Sequence, residues 1–487
     1  MVKQQKKHSR KKRSSKGFKA NAAKARRINA STVYETCTEQ LSPFGGLLAV
    51  IKFLDLLKFK EIFNSTYQEP SRDPKMGHYL MVVGILMLLF IGFNRIWHFT
   101  YVRLDAMICG FFRLTRLPVA TTFWRYVDSL GLNQASSFLK IMSILRERFW
   151  QLCGLCHDRI NISIDTTVET IYGNQQGGRK GHNTKNRGKK GYRPVLCFID
   201  ETREYLAGKL RKGVTIDGKE CAAFIATIKA QLPGCVKHVL LRADGEFLSW
   251  LSVQAAIAAE FQFIIANRGC NPPFDADGWY RPWKRKNIQF NSCTYKPIGW
   301  GTACRFVAMR IPKEEKKPGR PVQCELFEDD RYTYRIFCTG LTCKAHKVIS
   351  RYDKRADVEN LVGEAKREGL DAIPSGKFKN NYAFFQIVML AYNIWRYIKI
   401  LAHQSIDKAG SMQGIMTNTV RIARLKLLFI AAKAVKDGNL DKVKYSIHDT
   451  RTPTIMRFLK FIDRKRLKVR PWEEKSFWTQ HFAIQTI

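Results

Sequence analysis

The chain runs to 487 residues, with 83 Lys and Arg against 41 Asp and Glu and a formal charge of +42. Apolar residues make up 45% and aromatics 12%, which excludes a mainly disordered polymer and leaves room for roughly two to four domains with proper cores. A balance that basic implies a polyanionic partner, most simply nucleic acid, with an anionic membrane surface as the alternative.

Residues 1–30 carry twelve Lys or Arg and no acid. Such a block repels itself, stays extended and disordered, and gains free energy by displacing counterions from a phosphate backbone; a solubility tail has the same composition. Residues 47–63 and 78–93 repeat apolar side chains at helical spacing. The longest apolar run, residues 80–93, is 14 residues interrupted by Gly84, too short to cross a bilayer. No apolar segment of secretory type precedes it, so a cytoplasmic protein is expected. Between 100 and 131 come Leu104, Met107, Ile108 and Phe112, then Pro118 as a breaker, then Thr121 and Thr122 ahead of Phe123 and Trp124, a capped helix start. Residues 31–150 are expected to form a helical domain, either a plain bundle or a helix-turn-helix around Thr121 to Arg125. Thirteen cysteines, an odd number, fit reduced thiols. Cys153, Cys156 and His157 have c-type haem spacing, but that chemistry needs export, so buried thiols before a strand are expected instead. Cys338, Cys343 and His346 lack a second pair at zinc-site spacing.

The period then changes. Ile160, Ile162 and Ile164 alternate with Asn161, Ser163 and Asp165, the mark of a strand packed on one face. Residues 192–200 and 204–211 read as a hairpin, 217–232 as a helix, 236–241 as a buried strand, 247–259 as a helix and 261–266 as a last strand. Three antiparallel strands followed by helix, strand, helix and strand is the order of a ribonuclease H-like α/β fold, over about residues 151–375. Arg179, Lys180 and His182 lie in a Gly-rich basic loop whose spacing fails the Walker pattern; it serves either DNA backbone contact or as a plain surface loop. Residues 269–330 are rich in Trp, Pro and Gly and read as a β-rich insertion. Trp279, Trp283 and Trp300 sit there among cations, and Trp300 is carried as the candidate for stacking an unpaired base. Residues 376–487 read as helical and basic.

Residues 352–366 read as one helix, with Val358, Leu361, Val362 and Ala365 on a buried stripe. At about 100° per residue, with Arg355 at zero, Tyr352 falls near 60°, Glu359 near 40° and Lys366 near 20°. Asp357, Glu364 and Glu368 point roughly 180° to 220° away, so Glu359 is the carboxylate held between cations. A solvated ion-pair stripe has the same spacing. The pattern Tyr352-x2-Arg355-x3-Glu359-x6-Lys366 resembles the signature of bacterial insertion-sequence transposases of the DDE type, in the wording of insertion-sequence family 1380, or DDE group 1.

That resemblance implies the same ribonuclease H-like fold, and catalytic acids at Asp165, Asp244 and Glu359. Cutting or joining a phosphodiester needs an activated oxygen and stabilised charge around phosphorus, which two divalent ions, Mg²⁺ or Mn²⁺, supply when held by carboxylates. Glu169, Asp200 and Glu246 are the nearest rivals and are expected to be ordinary surface acids. The resemblance further implies that Tyr352, Arg355 and Lys366 grip DNA at the cut end. It assigns terminal-repeat recognition to residues 31–150 and implies a homodimer on double-stranded DNA in the bacterial nucleoid. A related nuclease without strand transfer and a non-catalytic basic nucleic-acid-binding protein are the other readings.

Overall fold

The computed structural model describes residues 28–181, 183, 186–282, 287–312, 331–405 and 413–467. The basic block up to residue 27, His182, Trp283 and residues 313–330 of the insertion lie outside the described residues. Among the described residues, those from 41 onward form one compact unit and residues 28–40 fall outside it. No helix among the described residues is long and apolar enough to cross a membrane.

The compact unit opens with helices α1 (Leu47–Leu56), α2 (Phe59–Thr66), α3 (His78–Phe90), α4 (Ala120–Val127) and α5 (Leu132–Cys153). The single helix expected over 47–63 is two, because Lys58 turns left-handed at φ 54° between them. Helix α3 is buried almost all round, as a run apolar on every face must be. Helix α4 starts at Val119 without a side-chain cap, so Thr121 and Thr122 fall inside it. Cys156 beyond α5 is exposed and Cys153 half-buried, so this pair is less buried than expected.

The centre is an eight-stranded mixed sheet. Its strands are β1 (Arg159–Thr166), β2 (Val195–Ile199), β3 (Glu204–Lys209), β4 (His238–Ala243), β5 (Gln262–Ala266), β6 (Gln289–Tyr295), β7 (Cys304–Pro312) and β8 (Tyr332–Thr339), in the order β6-β7-β8-β5-β4-β1-β2-β3. β1 runs parallel to β4, and β4 to β5. β2 and β3 form the expected antiparallel hairpin next to β1. Helices α6 (Gly218–Ala230) and α7 (Trp250–Ala258) make the crossovers that parallel strands require. The insertion extends the same sheet: β6 and β7 pair in sequence, and β8 returns the chain against β5.

Helix α8 (Ala345–Asp353) follows, then a tight 3₁₀ turn at Lys354–Ala356, α9 (Asp357–Ala365) and a π-helical turn at Lys366–Leu370. The helix expected to run unbroken from 352 to 366 is therefore interrupted at 354–356, which buries Arg355. Long helix α10 (Phe378–Ser405) seals the edge strand β3: Asn393 both accepts from Tyr205 N–H and donates to Tyr205 C=O, at 2.8 Å each, and Gln386 donates to Gly208 C=O. Side chains thus complete a ladder that no further strand completes. The C-terminal region adds α11 (Val420–Leu427) and α12 (Thr452–Arg464), together with a hairpin of β9 (Ala432–Asp437) and β10 (Leu440–Tyr445) where only helix was expected.

Candidate active site

Parallel pairing brings the two aspartates together. In β1 the isoleucines 160, 162 and 164 are buried in the core, so Asn161, Ser163 and Asp165 face the other way. Ser163 is opposite Arg242 in β4. Two residues on, at the same end and on the same face, the chain reaches Asp165 from one strand and Asp244 from the other. Asp244 then caps the 3₁₀ turn Gly245–Phe247, its Oδ1 accepting from Glu246 N–H at 3.0 Å.

Arg355 joins them. One guanidinium nitrogen donates to Asp165 Oδ1 and to Ile164 C=O, each at 3.0 Å, and Thr166 N–H donates to the same carboxylate. Burial pushes the Asp165 carboxyl up to about 6; Arg355 pulls it down, while Asp244 and Glu359 push it further up. Burial also raises Asp244, against the pull of Arg355. Tyr352 lies against Phe337 with ring centres 4.5 Å apart and planes tilted by 51°; its hydroxyl is raised by burial and feels Arg355, Asp244 and Asp165. Asp165, Asp244, Tyr352, Arg355 and Glu359 thus share one electrostatic neighbourhood.

The remaining candidates differ in setting. Lys366 Nζ donates to Val168 C=O at 2.6 Å and lies 3.6 Å from Asp371, one strand end away from Asp165. Arg179 and Lys180 are exposed and pair with Lys190–Tyr192 in a small sheet, so the basic loop has a structured base. Trp300 is half-buried, its ring 5.7 Å from Trp250 and 6.2 Å from Phe306. Trp279 carries Arg310 over its face at 4.2 Å.

Some neighbours of the acid cluster escaped the sequence reading. Glu246, expected on the surface, is buried and accepts from Arg193 (2.5 Å), Thr166 Oγ1 (3.1 Å) and Ile216 N–H (3.0 Å), bracing the ground beneath both aspartates. Glu169 is buried too, and burial raises its carboxyl well above the usual range. Asp200 is ion-paired to Arg242 and accepts from Ser163 Oγ. The usable signal for Arg242 was its place two residues before Asp244, where strand alternation puts it on the same face.

The donor chemistry of the cluster fits a hard divalent cation: the acids offer oxygen, and their mutual repulsion is what such an ion relieves. In the present side-chain arrangement Arg355 supplies positive charge at Asp165, and Glu359 is exposed on α9. Among the described residues no three His, Cys, Asp or Glu side chains stand together as a ready metal-ligand group.

A family model described as transposase DDE domain group 1 matches residues 28–467. No curated protein matches the chain. Among solved structures, piggyBac transposase in a synaptic complex with hairpin DNA aligns with 85% of this chain and 85% of its own, at 11% identity and a TM-score of 0.39. Argonaute of Marinitoga piezophila, in complex with a 5′ OH guide RNA, aligns with 53% of this chain and 35% of its own, at 10% identity and a TM-score of 0.18.

Proposed function

The chain belongs to the group 1 family of transposase DDE domains, and on that premise we propose that it cleaves DNA at the terminal inverted repeats of an insertion sequence of the family 1380 branch and joins the 3′ ends to target DNA. The observation that carries the catalytic assignment is the register Ser163 to Arg242, which delivers Asp165 and Asp244 to one end and one face of the sheet. The same topology supports a ribonuclease H-like core, since β3-β2-β1-β4-β5 runs as three antiparallel strands followed by two parallel ones.

Asp165, Asp244 and Glu359 would hold two Mg²⁺ or Mn²⁺ ions. Such ions, when bound, activate the attacking oxygen and stabilise charge on the leaving one. The chain's own residues do the rest. Arg355 keeps the Asp165 carboxylate oriented and offers its free donors to a phosphate; Tyr352 lines the same ground, and Lys366 adds a point charge beyond Val168. Glu246 and Arg193 hold the turn after Asp244 rigid. Arg179, Lys180, His182 and Trp300 would contact DNA outside the cleavage point, and residues 31–150 would recognise the element ends. The protein would work as a homodimer on double-stranded DNA, beside the nucleoid.

Changing Asp165, Asp244 or Glu359 singly to Ala is expected to lower metal-dependent cleavage of end DNA by ~10³-fold or more, while DNA binding persists. Cleavage at wild-type rate in any one variant removes that residue from the assignment. A target-joining assay separates this reading from a nuclease without strand transfer.

A further inference from the structure

On the face that carries Asp165, β1 presents Arg159, Asn161, Ser163 and Asp165 in one file, and His238, Leu240 and Arg242 of β4 run beside it. At the far end of that file lies a cavity of about 420 Å³, walled by Arg159, His238, Arg242, Arg351, Lys354 and Asp200 among others. One acid therefore faces four Arg or Lys and a His. That acid is already engaged, by Arg242 and by Ser163 Oγ. The acids on the adjoining wall are engaged as well: Asp353 pairs with Arg335 at 2.8 Å and Asp357 with Arg203 at 3.3 Å. Arg159, Arg351 and Lys354 are exposed and have no acid partner among the described residues.

A chain of charge +42 has many solvated cations, and three on a surface prove nothing. Arg242 is different. Its side chain is 2% exposed, and its two terminal nitrogens donate to Arg351 C=O and Ser163 Oγ at 2.9 Å, yet its Nε is buried with no hydrogen-bond partner. Held by Asp200, Ser163 and the Arg351 carbonyl, Arg242 fixes one wall of the cavity, and the acid-free Arg159, Arg351 and Lys354 around it suit an anion with several acceptor oxygens. The cavity mouth at Arg159 lies six strand residues from Asp165, about 20 Å along β1, with Ser163 and Arg242 buried between them.

We propose that this cavity is a second phosphate site, holding a backbone phosphate of the DNA strand whose scissile bond lies at the carboxylates. The assignment rests on the DNA-cleaving reading above and extends it to a contact remote from the chemistry. Recognition is of phosphate alone, so it positions the strand without reading its sequence.

The test uses the full chain, a fluorescein-labelled duplex oligonucleotide and anisotropy titrations across a range of NaCl. The double variant Arg159→Gln, Arg351→Gln removes two exposed guanidinium groups outside the acid cluster; Lys436→Gln, Lys460→Gln removes two exposed cations elsewhere. The slope of log K against log salt is expected to be shallower by about 1 in the first variant than in the second, the loss of one phosphate contact. Equal slopes in the two variants overturn the site. Lys354→Glu, which reverses charge at the cavity rim, is expected to weaken duplex binding below that of Lys436→Glu; equal binding again overturns it. Inorganic phosphate that raises the melting temperature of wild type but not of the double variant, with duplex slopes unchanged, would assign the cavity to free phosphate and overturn the DNA source. Failure of this site leaves duplex binding by wild type and the loss of cleavage in Asp165→Ala intact, whereas failure of the parent reading removes one or both.

Discussion

Asp165 is held where its own charge is unwelcome. Burial and the neighbouring acids raise its carboxyl from an ordinary 3.8 to about 6, with Arg355 only partly offsetting them. A raised carboxylate pKa means the folded chain binds the proton more tightly than the unfolded one. The stability this group contributes is therefore full below about pH 3.8 and lost as pH rises through about 6. In chelator, Asp165→Asn is expected to be more stable than wild type at neutral pH by on the order of 1 kcal/mol, with the gap closing near pH 4. Thermal melts across pH measure this, and an Asn variant less stable than wild type at pH 7 would contradict it. Added Mg²⁺ should raise the wild-type midpoint and leave the variant nearly still. The position of Asp165 was legible from strand alternation. The bracing of Asp244 by Glu246 and Arg193 was not, because Arg193 and Glu246 are 53 residues apart and meet only in the folded chain.

At the scale of elements, the site depends on how β3 and α5 are locked beneath it. Glu204 at the start of β3 is fully buried and accepts from Arg146 Nε (3.0 Å), Trp150 Nε1 (2.9 Å), Thr202 Oγ1 (2.7 Å) and Tyr397 Oη (2.6 Å). Four donors on one carboxylate fix α5 and α10 against the hairpin. Glu204→Ala leaves the Arg146 guanidinium buried without its acid, and is expected to cost about 3–5 kcal/mol, read as a lowered urea midpoint at unchanged slope. A loss under ~1 kcal/mol would show that water replaces the carboxylate. The helical pattern of the C-terminal region foresaw α10; α5 was covered only by the helical reading of residues 31–150, and the break at Lys354–Ala356 was not foreseen. A uniform 100° wheel put Tyr352 and Arg355 on one continuous helix, whereas the 3₁₀ turn re-aims Arg355 into β1.

Over the whole molecule, charge decides how DNA is approached. Deleting residues 1–30 removes twelve cations and no acid. The truncated protein is expected to bind duplex DNA with a visibly shallower salt slope, by several ions released, while metal-dependent cleavage at low salt survives. An unchanged slope would leave the tail with solubility alone. The contrast with the cavity variants would be one of degree: the tail would add diffuse attraction, and the proposed cavity site a single seated contact.

Composition, charge and local pattern were enough to indicate a nucleic-acid partner, the strand carrying Asp165, the order of strands and helices through residue 266, and a resemblance to the transposase DDE family to which the chain belongs. These are local properties, set by neighbours within a turn or a strand. Tertiary structure alone decided that β1 pairs with β4 in the register that aligns Asp165 with Asp244 across 79 residues of chain, that Arg355 neutralises Asp165, and that Asn393 seals the edge of the sheet. Each of these is a choice of partner among many chemically equivalent groups. Only the packing of the whole core makes one choice cheaper than the rest.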